Sequence, residues 1–316
     1  MTVVTDRPRV IVAIPLQPAH LDALRERYAV HYAPDGLAVS TDWHGPAATA
    51  RAIVTNGSTG LTGAQLAHLP NLGLVLCFGA GVEHVDFAAA RAAGVAVTHA
   101  PHVNDATVAD HALALLLACA RGLVGLDRAV RRGEWRTSRE PRPTLNGAVV
   151  GIVGLGHIGA KIAVRAAAFD AEVVYHARTR RAAVPWRYAA SVHDLARASD
   201  YLVLACPGGE GTRHLVDASV FDALGPRGFL VNVARGSVVD TTALVEALER
   251  RAIAGAALDV VDGEPEVPAA LLACDKVVLT PHVAGRSPAA LRAQLEICLE
   301  NLDAFFAGRP LTGRLV

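Results

Sequence analysis

Ala148-Val149-Val150-Gly151-Ile152-Val153-Gly154-Leu155-Gly156-His157-Ile158-Gly159 opens the stretch, residues 148–178, whose reading decides the fold. Val149 to Val153 is an apolar run of the length of a buried parallel strand. Gly154, Gly156 and Gly159 follow as G-x-G-x-x-G, Lys161 to Phe169 reads as an alanine-rich helix, and Glu172 to Ala177 as a second strand. In that context Gly154 permits a tight turn, Gly156 lets backbone N–H groups reach a pyrophosphate, and Gly159 lets helix and strand pack closely. The helix N-terminus adds unpaired donors and positive potential for phosphates. The loop, with Leu155, His157 and Ile158 between its glycines, is therefore a dinucleotide-binding candidate. The second strand ends in His176-Ala177-Arg178-Thr179-Arg180-Arg181, without the acid that usually holds an adenosine ribose. Arg178 suits a 2′-phosphate and Thr179 offers a hydroxyl, so NADP(H) is the expected cofactor, with NAD(H) second.

Working outward, 316 residues predict one or two domains, and 52% hydrophobic residues suffice for a large core. Lys and Arg together (30) equal Asp and Glu (30), which argues against a nucleic-acid or polybasic membrane-binding surface. No apolar run reaches the length of a membrane span, and Met1 to Arg9 lacks a signal-peptide core. Cys77, Cys119, Cys206, Cys274 and Cys298 are scattered without C-x-x-C spacing. They read as reduced core thiols of a cytoplasmic protein. His84, His99, His102 and His111 lack ligand spacing and read as surface or packing residues, with no metal site expected.

The first hundred residues repeat strand and helix: strands at 9–16, 52–55, 72–78 and 95–98, helices at 20–28, 62–69 (capped by Thr62) and 87–93 (capped by Asp86). Asn104 to Gly122 reads as a helix apolar almost all round, to be buried between domains or subunits. After a polar connection at 133–147, strands at 149–153, 172–177, 201–206, 229–233, 255–260 and 277–280 alternate with helices or turns. A helix over 287–307 closes the chain. The fold class is α/β, with doubly wound parallel sheets. An Arg, a Glu and a His follow successive strands, in Val231-Asn232-Val233-Ala234-Arg235-Gly236, Asp259-Val260-Val261-Asp262-Gly263-Glu264-Pro265 and Thr280-Pro281-His282. Parallel strands end on one edge, so the three can converge there.

With these motifs the chain resembles the D-2-hydroxyacid dehydrogenases over essentially its full length, and within them the glyoxylate/hydroxypyruvate reductase branch. The matching pieces are Gly79-Ala80-Gly81 through Val85-Asp86, Val108-Ala109-Asp110-His111, the glycine loop, Asn232 through Asp240, Asp259 through Pro265, and Pro281-His282. The resemblance implies two Rossmann/flavodoxin-like domains, with a cofactor domain at 102–284 inserted into a substrate domain at 1–101 and 285–316. It makes Arg235 the substrate anchor, His282 the acid/base and Glu264 its partner. Val75 to Gly81, chiefly Phe78, Gly79, Ala80 and Gly81, becomes the wall that takes the substrate carboxylate. Thr107, Cys206, Pro207, Thr212, Val233, Ala234, Asp259, Ala284 and Gly285 join the glycine loop around the cofactor. A homodimer through the cofactor domain is implied in the same way.

The residue types fit the chemistry by themselves. A 2-oxo acid needs a fixed cation for its carboxylate, and arginine is a permanently charged two-pronged donor. Reducing the ketone develops alkoxide character, so a proton donor that titrates near neutrality must sit at the oxygen. Three departures from the family pattern stand out: His157 where arginine is frequent, Val261 for a commonly aromatic residue, and Arg286 just past His282. Arg286 is read as a substrate contact favouring a polar or anionic distal group. The expected activity is reduction of glyoxylate and hydroxypyruvate to D-2-hydroxy acids. Aryl pyruvates or 2-keto sugar acids form the second reading. A nucleotide-sensing protein, like the C-terminal-binding corepressors of the same architecture, is the third.

Overall fold

The structure, a computed structural model, describes residues 7–37 and 45–316. Residues 1–6, most of the segment read above as lacking a signal core, lie outside the described residues. The chain divides into two compact units, 1–104 with 287–316, and 105–286.

In the first unit β1 (Arg9–Val12), β2 (Ala29–Tyr32), β3 (Ala52–Thr55), β4 (Leu74–Cys77) and β5 (Ala96–His99) form one parallel sheet, ordered β2-β1-β3-β4-β5. Successive side chains of a strand point to opposite faces, and here both faces are covered. Leu74 and Leu76 enter one core with Leu24 and Leu302, while Val75 and Cys77 enter the other with Ile53 and Val97. The helices are α1 (Pro18–Arg27), α2 (Gly63–Ala67) and α3 (Phe87–Ala92). Thr62 and Gln65 make a reciprocal capping box, and the Asp86 carboxylate accepts from Ala89 N at 2.9 Å.

The second unit runs α4 (Asp105–Arg121), α5 (Leu123–Arg131), β6 (Val149–Val153), α6 (His157–Ala167), β7 (Glu172–His176), β8 (Arg187–Tyr188), α7 (Val192–Arg197), β9 (Tyr201–Leu204), α8 (Ala218–Leu224), β10 (Phe229–Asn232), α9 (Thr241–Glu249), β11 (Gly255–Leu258), α10 (Ala269–Leu272) and β12 (Val277–Leu279). The chain then returns to the first unit as α11 (Pro288–Phe306), capped by Ser287. The second sheet is parallel throughout, ordered β12-β11-β10-β9-β6-β7-β8. β6 has β7 on one side and β9 on the other, so strand order reverses beside the glycine loop. That is where a doubly wound sheet opens a ligand crevice.

Several elements differ from the sequence reading. β1 stops at Val12, short of Leu16, ahead of Pro15. β2, a four-residue edge strand of mixed polarity, and the two-residue β8 are too short for periodicity to reveal. α5 lies between the helix read to Gly122 and the connection read from Gly133, in a stretch to which the sequence assigns no element; its only fully buried residue is Ala129, so it leaves no core stripe to read. α6 starts at His157, four residues earlier than expected, because the chain turns helical directly after Gly156. α4 buries one side within its own unit. Val108, Ala112, Leu115 and Leu116 pack into the core of their own unit, while Asp110 faces out and pairs with Arg165 of α6 at 2.6 Å.

Gly159 lies inside α6, and a Cβ there would stand 1.9 Å from Gly154 O. Gly159→Ala must therefore push α6 off β6. A loss of about 1–3 kcal/mol in folding stability is expected, the usual cost of overpacking. Urea unfolding with an unchanged midpoint would contradict the close packing.

Candidate active site

All strands of the second sheet point the same way, so the segments after β6, β7, β9, β10, β11 and β12 lie along one edge. After β6, Gly154 turns at φ 93°, and a Cβ on it would come within 2.7 Å of Cys206 Cα. Gly156 differs. Its backbone is extended (φ −81°, ψ −159°) and a Cβ would meet no protein atom within 4 Å. No protein atom fills the space beside it, so the backbone there is open to close approach by a ligand. The amides of the first turn of α6 open beside it. Leu155 is buried, Ile158 half-buried, and His157, the first residue of α6, is exposed with Nδ1 3.9 Å from Asp105 Oδ2.

After β7, Arg178 and Thr179 are exposed in a bend. Glu172, at the far end of the strand, pairs with Arg187 at 2.9 Å. Between residues 177 and 186 there is no carboxylate. Arg180 rests over the ring of Tyr188 at 6.0 Å. After β9, Cys206 is half-buried and burial pushes its thiol up to about 11, so it is a packing group, not a nucleophile. Thr212 Oγ1 donates to Pro207 O at 2.8 Å and ties that loop together.

After β10 the chain turns at Val233 and Ala234, both buried, to present Arg235. Asn232, 1% exposed, holds the turn: its Nδ2 donates to Arg235 O and its Oδ1 accepts from Ala234 N, both at 3.0 Å. Arg235 Nη1 donates to Ala234 O at 2.7 Å. A Cβ on Gly236 would stand 2.1 Å from the carbonyl carbon of Val261, so the Arg235 turn is pressed against the loop after β11. That loop carries Glu264. Glu264 Oε1 lies 2.5 Å from His282 Nδ1, and Glu264 Oε2 accepts from Val261 N at 3.3 Å. Val261 is buried in the core, a packing residue.

The charges on this trio reinforce one another. Burial pushes the Glu264 carboxyl up, but the hydrogen bond and charge of His282, the Val261 amide and the Arg235 charge together hold it below its ordinary value. For His282 the hydrogen bond to Glu264 dominates and raises the pKa. Burial opposes it, the charges of Glu264 and Asp259 add to it, and Arg235 subtracts, leaving a net rise. The two shifts agree: the proton resides on His282 and the negative charge on Glu264.

His282 itself sits at φ 51°, a left-handed conformation rare outside glycine. The residue that holds it there is Asp259, whose side chain is 1% exposed. Its carboxylate takes Thr280 Oγ1, Val283 N and Ala284 N, and its carbonyl takes His282 N. The clamping roles of Asn232 and Thr280 are not visible in the sequence. A polar residue closing an apolar strand was the signal available. His111, read as a surface or packing residue, places Nε2 3.0 Å from Thr280 Oγ1. Thr107 lies on α4, half-buried; Gly285 and the exposed Arg286 follow Ala284. Phe78 to Gly81 belong to the first unit. There Gly79 turns at φ 121°, Gly79 O accepts from Ala100 N (2.8 Å), and His99 Nδ1 contacts Ala80 O (3.0 Å).

Comparison with known proteins places this geometry in a family. Residues 113–284 match the model of the D-isomer specific 2-hydroxyacid dehydrogenase NAD-binding domain. The chain is 42% identical to the glyoxylate/hydroxypyruvate reductase A HPR2 of Arabidopsis thaliana, over 83% of this chain and 84% of that protein. It is 35% identical to the 2-ketogluconate reductase of Gluconobacter oxydans, over 97% and 98%. Among solved structures, an NADPH-dependent glyoxylate/hydroxypyruvate reductase of Sinorhizobium meliloti, in complex with NADP and malonate, superposes with a TM-score of 0.90 at 36% identity, covering 98% of this chain and 97% of that one. The chain belongs to the D-isomer-specific 2-hydroxyacid dehydrogenases.

Proposed function

We propose that the protein reduces small 2-oxo acids, glyoxylate and hydroxypyruvate first among them, to D-2-hydroxy acids with a reduced nicotinamide dinucleotide. The observation that carries this reading is the His282–Glu264 pair at 2.5 Å beside the charge of Arg235, on the strand edge that also bears the glycine loop. When bound, the nicotinamide supplies the hydride. The glycine loop and the N-terminus of α6 hold its phosphates. Thr107, Pro207, Thr212, Val233, Ala234, Asp259, Ala284 and Gly285 line its site. Arg235 grips the substrate carboxylate with paired N–H donors. Because Nδ1 of His282 is engaged by Glu264, Nε2 is the atom that delivers the proton to the carbonyl oxygen. The reading extends to the Phe78–Gly81 turn as a backbone binder of the carboxylate, and to 1–104 with 287–316 as a substrate domain. Incubating the protein with reduced cofactor and a panel of 2-oxo acids tests it. Glyoxylate and hydroxypyruvate turnover is expected; cofactor binding without turnover of any 2-oxo acid would instead favour the nucleotide-sensing reading.

The second reading, a 2-keto sugar acid or aryl pyruvate as substrate, is favoured by one feature: the exposed Arg286 in the same turn as His282, whose guanidinium pairs with no carboxylate among the described residues. The relative from Gluconobacter oxydans, named for 2-ketogluconate, matches this chain over nearly all its length. Assembly as a homodimer is part of the proposal, supported by the exposed Leu123, Val124 and Val130 of α5 and the nearby Trp135. So is a reducing, cytoplasmic setting, supported by five unpaired cysteines. No helix among the described residues is long and apolar enough to cross a membrane.

NADPH is the preferred cofactor in this reading, on Arg178, Thr179 and the absence of an acid after β7. A charge-assisted bond of ~1.5–3 kcal/mol corresponds to roughly 10- to 150-fold discrimination in kcat/KM. Arg178→Ala should remove most of that preference while leaving turnover with NADH unchanged. Equal use of both cofactors by the unaltered protein would refute the assignment.

Glu264→Gln gives the pH test. Reduction needs protonated His282, so its rate falls as pH rises through the His282 pKa, which lies above the ordinary value. Removing the Glu264 charge lowers that pKa. The high-pH limb of single-turnover reduction should therefore move to lower pH, and a limb that stays put or moves upward would separate Glu264 from His282.

A further inference from the structure

We propose that His111 and Thr280 are positioning residues for the proton-transfer histidine, acting through the buried carboxylate of Asp259. This rests on the reductase reading for its consequence, but not for its geometry. Three groups of the 280–284 loop converge on the Asp259 side chain: Thr280 Oγ1 at 2.6 Å, Val283 N at 2.9 Å and Ala284 N at 2.9 Å. His282 N adds a fourth tie, to Asp259 O at 2.8 Å. A non-glycine residue at φ 51° persists only where its surroundings over-determine it, and these four bonds flank His282 on both sides.

The direction of the chain follows from the groups themselves. An ionised carboxylate only accepts, so the Thr280 hydroxyl donates to Asp259. The oxygen of Thr280 is then left to accept, and the group facing it is His111 Nε2 at 3.0 Å. His111 must therefore carry a proton on Nε2. It is anchored on α4, which packs against β10, β11 and β12, and its Nε2 also stands 3.5 Å from Asp259 Oδ1. His111 thus fixes the hydroxyl rotor, the rotor fixes the carboxylate, and the carboxylate fixes the loop. The charged groups facing His282 are Glu264, Arg235 and Asp259, with His111 reaching it through Thr280. If the clamp loosens, the ring swings away from Glu264 and loses the contact that raises its pKa.

The test uses four variants of the full chain. Thr280→Val and His111→Leu remove a link; Thr280→Ser and His111→Gln keep a hydroxyl and an Nε donor at the same places. The first readout is the His282 ring titration by NMR without cofactor or substrate, its signal assigned by its loss in His282→Asn. The second is the single-turnover rate of 2-oxo acid reduction. Thr280→Val and His111→Leu should bring the His282 pKa down toward its ordinary value and slow reduction about tenfold or more. The conservative pair should keep both close to wild type. If Thr280→Val does not fold, His111→Leu carries the same expectation. An unshifted His282 titration in the link-removing variants, with or without a lower melting temperature, would overturn the proposal and leave these residues purely structural. So would equal damage in Thr280→Ser and Thr280→Val. The titration needs no turnover, so a failed reductase reading and a failed clamp are told apart.

Discussion

Replacing His282 by asparagine is expected to slow reduction by about a hundred- to ten-thousandfold, the contribution of a positioned general acid. Asparagine is the informative choice because it tolerates the left-handed backbone that His282 adopts, whereas alanine adds strain at φ 51°. The variant keeps the Asp259 clamp, which acts on main-chain groups and on Thr280. What it loses is the imidazolium that Glu264 holds protonated. Cofactor affinity should remain, since the glycine loop is untouched. Single-turnover rates separate the proton step from product release. A loss smaller than about tenfold, in a variant that melts like the parent, would move the proton donor to another group.

The second large effect is expected at Arg235. Arg235→Lys preserves the charge and should still cost roughly a hundredfold or more in kcat/KM, the order produced by a misplaced reacting group. The physical reason is shape. A guanidinium is a rigid planar fork whose paired N–H donors match a carboxylate, and here the turn fixes it by a bond to Ala234 O at 2.7 Å. An ammonium on a flexible stem has no such fork. The Asn232 clamp presents the side chain from a fixed turn, so a shorter-reaching head cannot be compensated by moving the backbone. Steady-state kinetics on hydroxypyruvate decide it: near-normal kcat/KM would remove Arg235 from the substrate.

Much of the architecture is legible in the amino-acid order because parallel strands buried on both faces are continuous apolar runs. Val149 to Val153 and Tyr201 to Leu204 are examples, and their strands end on one edge by topology alone. That Arg235, Glu264 and His282 end on one edge was legible the same way, while the partnership of Glu264 with His282 came from the family resemblance. The supports of the site were not. Asp259 and Asn232 act through turns whose left-handed or tight geometry no periodicity encodes. His111 meets Thr280 across 169 residues of sequence, a contact that exists only once α4 has packed on the sheet. α5 escaped because an almost fully exposed helix has no buried face to announce it.

The most direct test of the reductase account is the product formed from hydroxypyruvate and NADPH, followed by loss of nicotinamide absorbance near ~340 nm and by chiral analysis of the glycerate. The account predicts stoichiometric cofactor oxidation and D-glycerate, at a rate that falls as pH rises through the elevated His282 pKa. L-glycerate, a racemate, or no cofactor oxidation by the folded protein would contradict it.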